Sequence, residues 1–261
     1  MLEIAILKKD ETLVSHAAGV DEVYLVHSMP YEEDDKIVVT CSEKQVFLML
    51  QLDDAIGESL VLLTEETMSY AVPFGEKKVC YSPKSFSGNI HLLKARLATK
   101  AEIGVYKNLT LNKYDQHGDT HCFPHASANV ETRGESVFAA KNAINGNCEN
   151  HSHGIWPYES WGINQNPNAV MKVEFGRSIV TDKIRLYTRA DFPHDAWWEQ
   201  ATLTFSDGSQ LVWDLVKTDK AQEIQFEAKM IEWVEIGNLI KADDPSPFPA
   251  LSQLEVYGQE A

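Results

Sequence analysis

The sequence has no excess of positive charge. Its 261 residues include 23 Lys and Arg against 39 Asp and Glu, which gives a formal net charge of −16. Proteins that bind nucleic acids or anionic membranes rely on clusters of Lys and Arg. We therefore expect neither a nucleic acid nor a membrane as a partner.

Long apolar runs and export signals are also missing. No apolar stretch approaches the roughly 20 residues that a membrane-spanning helix needs. The N-terminus has no basic segment followed by an apolar one, which is the pattern of a secretion signal. The four cysteines are far apart and none belongs to a C-x-x-C pair; they are Cys41, Cys80, Cys122 and Cys148. These features predict reduced thiols and a cytoplasmic protein.

The common catalytic signatures are absent as well. There is no Gly-x-Ser-x-Gly turn, no phosphate-binding Walker loop and no dinucleotide-binding glycine pattern. Carboxylate pairs such as Asp191 with Asp195 and Asp243 with Asp244 have the residue type that a glycosidase needs. Acidic residues in solvated loops explain the same pattern, so we favour a protein without catalytic activity.

Tryptophan is absent from the first 155 residues, and all six tryptophans follow. This asymmetry predicts two domains, residues 1–107 and residues 108–261. The first contains short strand-like runs separated by turns, which favours an antiparallel β-sandwich. The runs are residues 2–7, 22–27, 36–40, 46–52, 60–63, 69–72, 78–81 and 91–98, of which the last is also compatible with a helix. His27 and His91 lie in apolar runs, where we expect structural, hydrogen-bonded histidines. The role of this domain is not readable.

The second domain contains a series of motifs in a recognisable order. They are AAKNAINGN (139–147), AVMKVEFG (169–176), VTDKIRLY (180–187), TFSDGS (204–209), WVEI (233–236) and LSQLEVYG (251–258). Together they resemble discoidin-like modules, also called factor V/VIII type C domains, over residues 126–258. The resemblance implies a galactose-binding-like jelly roll whose loops at one end bind glycans, or in relatives lipids or proteins. The predicted fold class is therefore all-β, with two β-sandwich domains.

The stretch from Arg189 to Trp198 has the residue types that a sugar-binding surface needs. An indole face packs on the C–H groups of a sugar ring, while charged side chains hold its hydroxyls. Adjacent tryptophans on a strand point to opposite faces, so one of the pair serves the core. A loop anchored by two tryptophans and an Arg–Asp ion pair explains the stretch equally well. The candidate ligand-binding residues are Arg189, Asp191, His194, Asp195, Trp197 and Trp198, with Trp156 and Phe248 as further aromatic platforms.

Two metal sites are conceivable from the sequence. The resemblance implies a structural calcium site, but Asn145 and Gln253 stand where such modules carry acidic residues. The loss of two formal charges should weaken calcium binding there. Separately, the spacings of His121 with His125 and of His151 with His153 are compatible with a zinc site. Exposed histidines in a polar inter-domain loop are the simpler explanation of these spacings.

We expect a non-catalytic protein that binds a mono- or oligosaccharide through the loops of its C-terminal jelly roll. One alternative is a metal-dependent hydrolase that uses the histidines at the domain junction. Another is a protein-interaction or homo-oligomerisation module in which the aromatic side chains form an interface.

Overall fold

A computed structural model describes residues 1–118, 121–190 and 196–261. Every strand pair in it is antiparallel, which confirms the all-β prediction. Its one α-helix, α1, is Lys100–Gly104, and single 3₁₀ turns occur at Gly75–Lys78, Thr132–Gly134, Ser136–Phe138 and Ala140–Ile144. Among the described residues, no helix has the length and apolar character needed to cross a bilayer.

The N-terminal half forms a β-sandwich of two sheets. One sheet has the order β2-β1-β4-β7 and the other the order β10-β6-β5-β8-β3. The inward side chains alternate with outward ones, as on β1, where Leu2, Ile4 and Ile6 are buried. The strands are β1 (Leu2–Leu7), β2 (Leu13–Gly19), β3 (Glu22–His27), β4 (Lys36–Cys41), β5 (Val46–Gln51), β6 (Ser59–Leu63), β7 (Thr67–Ala71), β8 (His91–Leu97) and β10 (Cys122–Phe123).

Two sequence predictions for this half need correction. Residues 78–81 are not a strand, because Gly75–Lys78 forms a 3₁₀ turn and Cys80 packs against Val137 and Tyr158 of the other half. The strand Leu13–Gly19 was not predicted, because its side chains are only partly buried and show little apolar alternation. Residues 91–97 form a strand, which resolves the ambiguity there.

The C-terminal half is a second β-sandwich built on two long, bent strands. The strands β13 (Met171–Thr188) and β16 (Gln222–Lys241) pair with each other along most of their length, with register shifts between Glu174 and Ile179. The remaining strands are β9 (Lys107–Asn108), β11 (His125–Ala128), β12 (Trp161–Gly162), β14 (Trp198–Phe205), β15 (Gln210–Asp214) and β17 (Ala250–Glu260). All strands of this half belong to one eight-stranded sheet with the order β12-β17-β13-β16-β14-β15, in which β11 also pairs with β13 and β9 with β17. Their inward side chains form one apolar core.

The two sandwiches are in direct contact. The guanidinium of Arg177 lies 5.0 Å from the ring centroid of Phe47 and makes a bidentate ion pair with Glu260, at 2.6 and 2.8 Å. Between residues 107 and 125 the chain contributes to both cores, since Leu109 lies in the second and Tyr114 in the first. A division at residue 107 therefore stays a prediction. No disulfide joins the cysteines of the described residues.

Candidate functional site

A pocket of about 280 Å³ opens at the end of the second sandwich where β13 finishes and β17 begins. Five separate segments of the chain surround it. Its lining residues include Thr132, Arg133, Phe138, His153, Asn164, Gln165, Arg189 and Phe248. Two of the predicted ligand-binding residues, Arg189 and Phe248, are among them.

Phe248 supplies the exposed aromatic surface of this pocket. It lies between Pro247 and Pro249, just before β17, and 46% of the residue is exposed. Proline fixes its own backbone φ and restricts the residue before it. Phe248 is thus presented to solvent on a stretch of backbone with little conformational freedom.

Arg189 contributes a polar part of the wall. It directly follows β13, its backbone N–H donates to the Ala250 carbonyl at 3.1 Å, and only 1% of the residue is exposed. A buried guanidinium with five donors is suited to oxygen-rich ligands. Asp191, His194 and Asp195, which we predicted beside it, lie outside the described residues.

Three residues of the rim adopt left-handed backbone conformations. The φ angles are +53° at Arg133, +50° at Asn164 and +57° at Gln165. The Asn164 N–H donates to Thr132 Oγ1 at 2.9 Å, which ties two rim segments together. Left-handed conformations of non-glycine residues are unfavourable and cluster at binding sites, where the surrounding structure holds them. The amide side chains of Asn164 and Gln165 are exposed and line the pocket.

The positive charge of Arg133 at the pocket is neutralised by the neighbouring carboxylate of Glu135. Arg133 makes two hydrogen bonds to the Glu135 carboxylate, at 2.6 and 2.8 Å, and its guanidinium lies 5.6 Å from the Phe138 ring centroid. The hydrogen bond from Arg133 lowers the pKa of Glu135 and raises the pKa of Arg133. Both groups are therefore charged at neutral pH, and the pair contributes little net charge to the pocket mouth.

The tryptophan pair divides as predicted, but one member cannot contact a ligand. Trp198 is 1% exposed and packs in the core of the second sandwich, so its proposed role as a stacking platform is wrong. Trp197 is partly exposed, and its carbonyl accepts a hydrogen bond from the Ala242 N–H at 3.0 Å. Neither indole lines the pocket that contains Arg189 and Phe248.

Trp156 lies elsewhere. It lines a cleft of about 240 Å³ between the two sandwiches, together with Asn145, Glu159 and residues of the first half such as Ile56. The aromatic platforms that the sequence suggested are therefore divided between two places.

The predicted zinc site is not formed. Within the described residues, no three His, Cys, Asp or Glu side chains are grouped so that they could hold a metal ion. His125 Nδ1 lies 2.7 Å from Asp115 Oδ1, and the carbonyl of His121 accepts from Thr64 N at 2.9 Å, at the edge of the first sandwich. His153 instead lines the pocket near Phe248. His121 thus lies at the edge of the first sandwich, whereas His153 lines a pocket of the second.

Asn145 and Gln253 occupy the positions where the resemblance implies calcium ligands. Their side-chain amide oxygens instead accept hydrogen bonds from the loop around Gly146. Gln253 is fully buried, and its Oε1 accepts from the Gly146 N–H at 3.1 Å. Asn145 Oδ1 accepts from the Asn147 N–H at 2.8 Å. Both candidate ligand oxygens are thus already engaged with the loop backbone. These neutral amides fit a hydrogen-bonded loop better than a site for Ca²⁺, which favours carboxylates.

Sequence reasoning missed Asn164, Gln165, Arg133 and Phe138. The run Asn164-Gln165-Asn166-Pro167-Asn168 is rich in turn-forming residues and predicts a loop. Nothing in its composition predicts that it meets the segment around Arg133, because the two are joined only by tertiary packing. Gly162 shows how tight that packing is, since a β carbon there would lie 2.6 Å from Thr132 Oγ1.

Comparison with protein-family models finds no match, and comparison with curated proteins finds no relative. Among solved structures, 186 chains are similar. The lectin domain of lectinolysin in complex with Lewis b antigen is 20% identical, over 59% of this chain and 98% of that chain, with a TM-score of 0.43. Chitosan-binding module 1 of a Paenibacillus sp. IK-5 chitosanase/glucanase is 20% identical, over 58% and 98% of the two chains, with a TM-score of 0.41.

A third similar structure is the family 32 carbohydrate-binding module of Clostridium perfringens NanJ in complex with galactose. It is 17% identical, over 51% of this chain and 91% of that chain, with a TM-score of 0.39. These neighbours are carbohydrate-binding modules and lectin domains, in agreement with the resemblance seen in the sequence.

Proposed function

We propose that this protein binds a neutral carbohydrate, without acting on it chemically, in the pocket between Asn164, Arg189 and Phe248. One observation carries the proposal. An exposed aromatic ring shares a pocket of about 280 Å³ with a guanidinium and two amide side chains.

A sugar ring presents two kinds of surface, and the pocket offers a partner for each. Its C–H groups form an apolar face that packs on an aromatic ring such as Phe248. Its hydroxyls both donate and accept hydrogen bonds. The amides of Asn164 and Gln165 do the same, whereas a guanidinium only donates.

The pocket is also prepared for binding before the ligand arrives. Prolines flank Phe248, and the left-handed residues Asn164 and Gln165 are held by backbone geometry and by the bond to Thr132. A rigid site loses less conformational entropy on binding than a flexible one. This arrangement supports recognition of a small, defined group such as one or two sugar units.

The lining argues for binding rather than hydrolysis. Cleavage of a glycosidic bond ordinarily uses a pair of carboxyl groups that flank the bond. None of the described residues that line the pocket is Asp or Glu.

The proposal is tested by titrating purified protein with mono- and oligosaccharides. Calorimetry would give the dissociation constant, and a rise in melting temperature would report binding to the folded state. Phe248→Ala removes an exposed ring and should preserve folding. An aromatic contact contributes about 0.5–1.5 kcal/mol beyond its buried area, so we expect binding to weaken about 2- to 12-fold.

Tyr24→Ala is the matched control, because Tyr24 is an exposed ring on β3 of the other sandwich. It should leave sugar binding unchanged. Absence of binding to every sugar in a broad panel would contradict the proposal. Equal effects of the two substitutions would contradict the location of the site.

A further inference from the structure

The first sandwich contains a buried cluster of polar aromatic side chains that the carbohydrate pocket does not use. His27 is the last residue of β3 and His91 the first of β8, and they are direct antiparallel partners. Both are 1% exposed, on the inner face of the sheet. Their ring centroids are 5.8 Å apart.

A third ring completes the cluster. Tyr31, from the segment between β3 and β4, is 7% exposed. Its ring centroid lies 4.4 Å from that of His91 and 5.1 Å from that of His27. Side chains from three separate segments therefore meet inside the sandwich.

Each member of the cluster carries a buried polar atom that remains unsatisfied. Among the described residues, His27 Nε2, His91 Nε2 and Tyr31 Oη have no hydrogen-bond partner. Leaving a buried polar group without a partner costs about 1–3 kcal/mol. Three such atoms on neighbouring rings are unusual in a folded protein and indicate that something else satisfies them.

The surroundings favour a cation. Asp35 and Asp53 are 4% and 1% exposed. Asp35 acts electrostatically on both His27 and Tyr31, and Asp53 acts on Tyr31. Backbone N–H groups hold these carboxylates in place, from Glu32 to Asp35 at 2.7 Å and from Phe86 to Asp53 at 2.7 Å. Two buried acidic side chains therefore lie close to the cluster of His27, His91 and Tyr31.

The second ring nitrogen of His27 has the kind of neighbour that a metal-bound histidine uses. Its Nδ1 lies 2.8 Å from Ser15 Oγ on β2. When Nδ1 donates that bond, the lone pair of Nε2 remains available. A metal-bound histidine characteristically donates its other ring N–H to such a neighbour, which fixes its tautomer.

We propose that His27, His91 and Tyr31 form a binding site for a divalent transition-metal ion such as Zn²⁺ or Cu²⁺. The two Nε2 atoms are the nitrogen ligands, and Tyr31 Oη is the third donor. Imidazole nitrogen suits these metals, whereas Mg²⁺ prefers a shell of oxygen ligands. This site is independent of the carbohydrate pocket, and its metal stabilises the first sandwich.

Because the site is buried, the metal must be supplied during refolding. The full chain is unfolded in guanidinium with a chelator and refolded with Zn²⁺, Cu²⁺ or Mg²⁺. It is then desalted, and bound metal is measured by elemental analysis and native mass spectrometry. We expect one Zn²⁺ or Cu²⁺ per chain, a higher denaturation midpoint with either ion, and no retained Mg²⁺.

Substitutions then locate the ion. Loss of an outer-shell partner typically lowers metal affinity about 10- to 100-fold. His27→Gln and His91→Gln each remove a proposed ligand, so each should lower Zn²⁺ affinity by at least that factor. Ser15→Ala should also weaken it, by a factor in the same range. His117→Gln is the control, because His117 is an exposed histidine paired with Glu131.

Tyr31→Phe provides a milder test if the histidine variants fail to fold. It keeps the ring and removes only the oxygen, so it should lower Zn²⁺ affinity while far-UV circular dichroism stays native. Two results would overturn the proposal. One is refolded wild type that retains no stoichiometric Zn²⁺ or Cu²⁺, as expected if buried water satisfies the three atoms. The other is retention that the His91 or Tyr31 variants leave unchanged.

Discussion

Gly176 and Phe123 are packed so closely that the glycine has no room for a side chain. A β carbon built on Gly176 would lie 2.5 Å from Cγ of the Phe123 ring. Gly176 also has φ of +68°, between the part of β13 that pairs with β11 and the part that pairs with β17. Phe123 belongs to β10, which pairs with the first sandwich. One glycine thus permits both the strand bend and the contact between the sandwiches.

Replacing this glycine should destabilise the protein through two separate effects. Gly176→Ala introduces a left-handed alanine, at about 1–2 kcal/mol, and a steric clash, at about 1–3 kcal/mol. Gly208→Ala is the control, because Gly208 has φ of +83° but no neighbouring atom within 4 Å of its β carbon. Guanidinium unfolding of both variants should show a clearly larger loss for Gly176→Ala. Equal losses would mean that the Phe123 contact yields easily.

The two adjacent tryptophans should differ sharply in their contribution to stability. Trp198 is buried in the core, so Trp198→Ala should lower the free energy of unfolding by about 3–5 kcal/mol. Trp197 is partly exposed, and Trp197→Ala should cost about 1 kcal/mol. Chemical denaturation monitored by circular dichroism measures both. A larger loss for the Trp197 variant would contradict the assignment of Trp198 to the core.

The ion pair between His117 and Glu131 should make stability depend on pH. The hydrogen bond to Glu131, with Nε2 and Oε2 2.7 Å apart, raises the pKa of His117. Burial opposes ionisation of Glu131, but the bonds from His117 and from the Ala140 N–H outweigh it and lower its pKa.

The directions of these two pKa shifts define the pH range in which the ion pair stabilises the folded protein. The His117 contribution is fully present below the unfolded histidine pKa of about 6.5 and is lost as pH rises through the raised folded pKa. The Glu131 contribution is present above about pH 4.3 and is lost as pH falls through the lowered folded pKa. Wild type should therefore exceed His117→Gln most between about pH 4.5 and 6.5, by about 0.2–1 kcal/mol because His117 is exposed to solvent. Unfolding free energies measured from pH 4 to 9 test this, and a difference that grows above pH 8 would contradict it.

The buried amide of Gln253 should be necessary for the loop around Gly146. Gln253→Ala removes the acceptor of the Gly146 N–H and leaves a cavity, so we expect a loss of at least about 1–3 kcal/mol. Gln253→Glu keeps the acceptor and adds charge, so it should increase the rise in melting temperature produced by Ca²⁺ relative to wild type. Thermal unfolding with Ca²⁺ or EDTA measures this, and an unchanged response would show that residue 253 cannot reach a bound cation.

The candidate site was only partly accessible to sequence reasoning. Arg189 and Phe248 were predicted because a cation after a strand and an aromatic in a proline-rich loop are visible as residue types. Trp198 was assigned wrongly, because alternation predicts that one of two adjacent indoles is buried but does not determine which one. Asn164 and Gln165 went unrecognised, since their importance depends on left-handed backbone angles and on the proximity of Thr132.

The sequence by itself determined the elements of this protein. Alternating apolar residues specify strands such as β1, and the ordered motifs between residues 139 and 258 resemble those of a jelly roll. These are local properties, set by side-chain periodicity and turn chemistry within a few residues. Only the tertiary structure decided which distant segments meet. In the folded chain, Phe248 and Asn164 line one pocket, whereas Trp156 lines another cleft. His121 and His153 lie in different parts of the molecule. His27, His91 and Tyr31 are buried together in the first sandwich. Packing between strands far apart in the chain controls such contacts, and no local pattern encodes them.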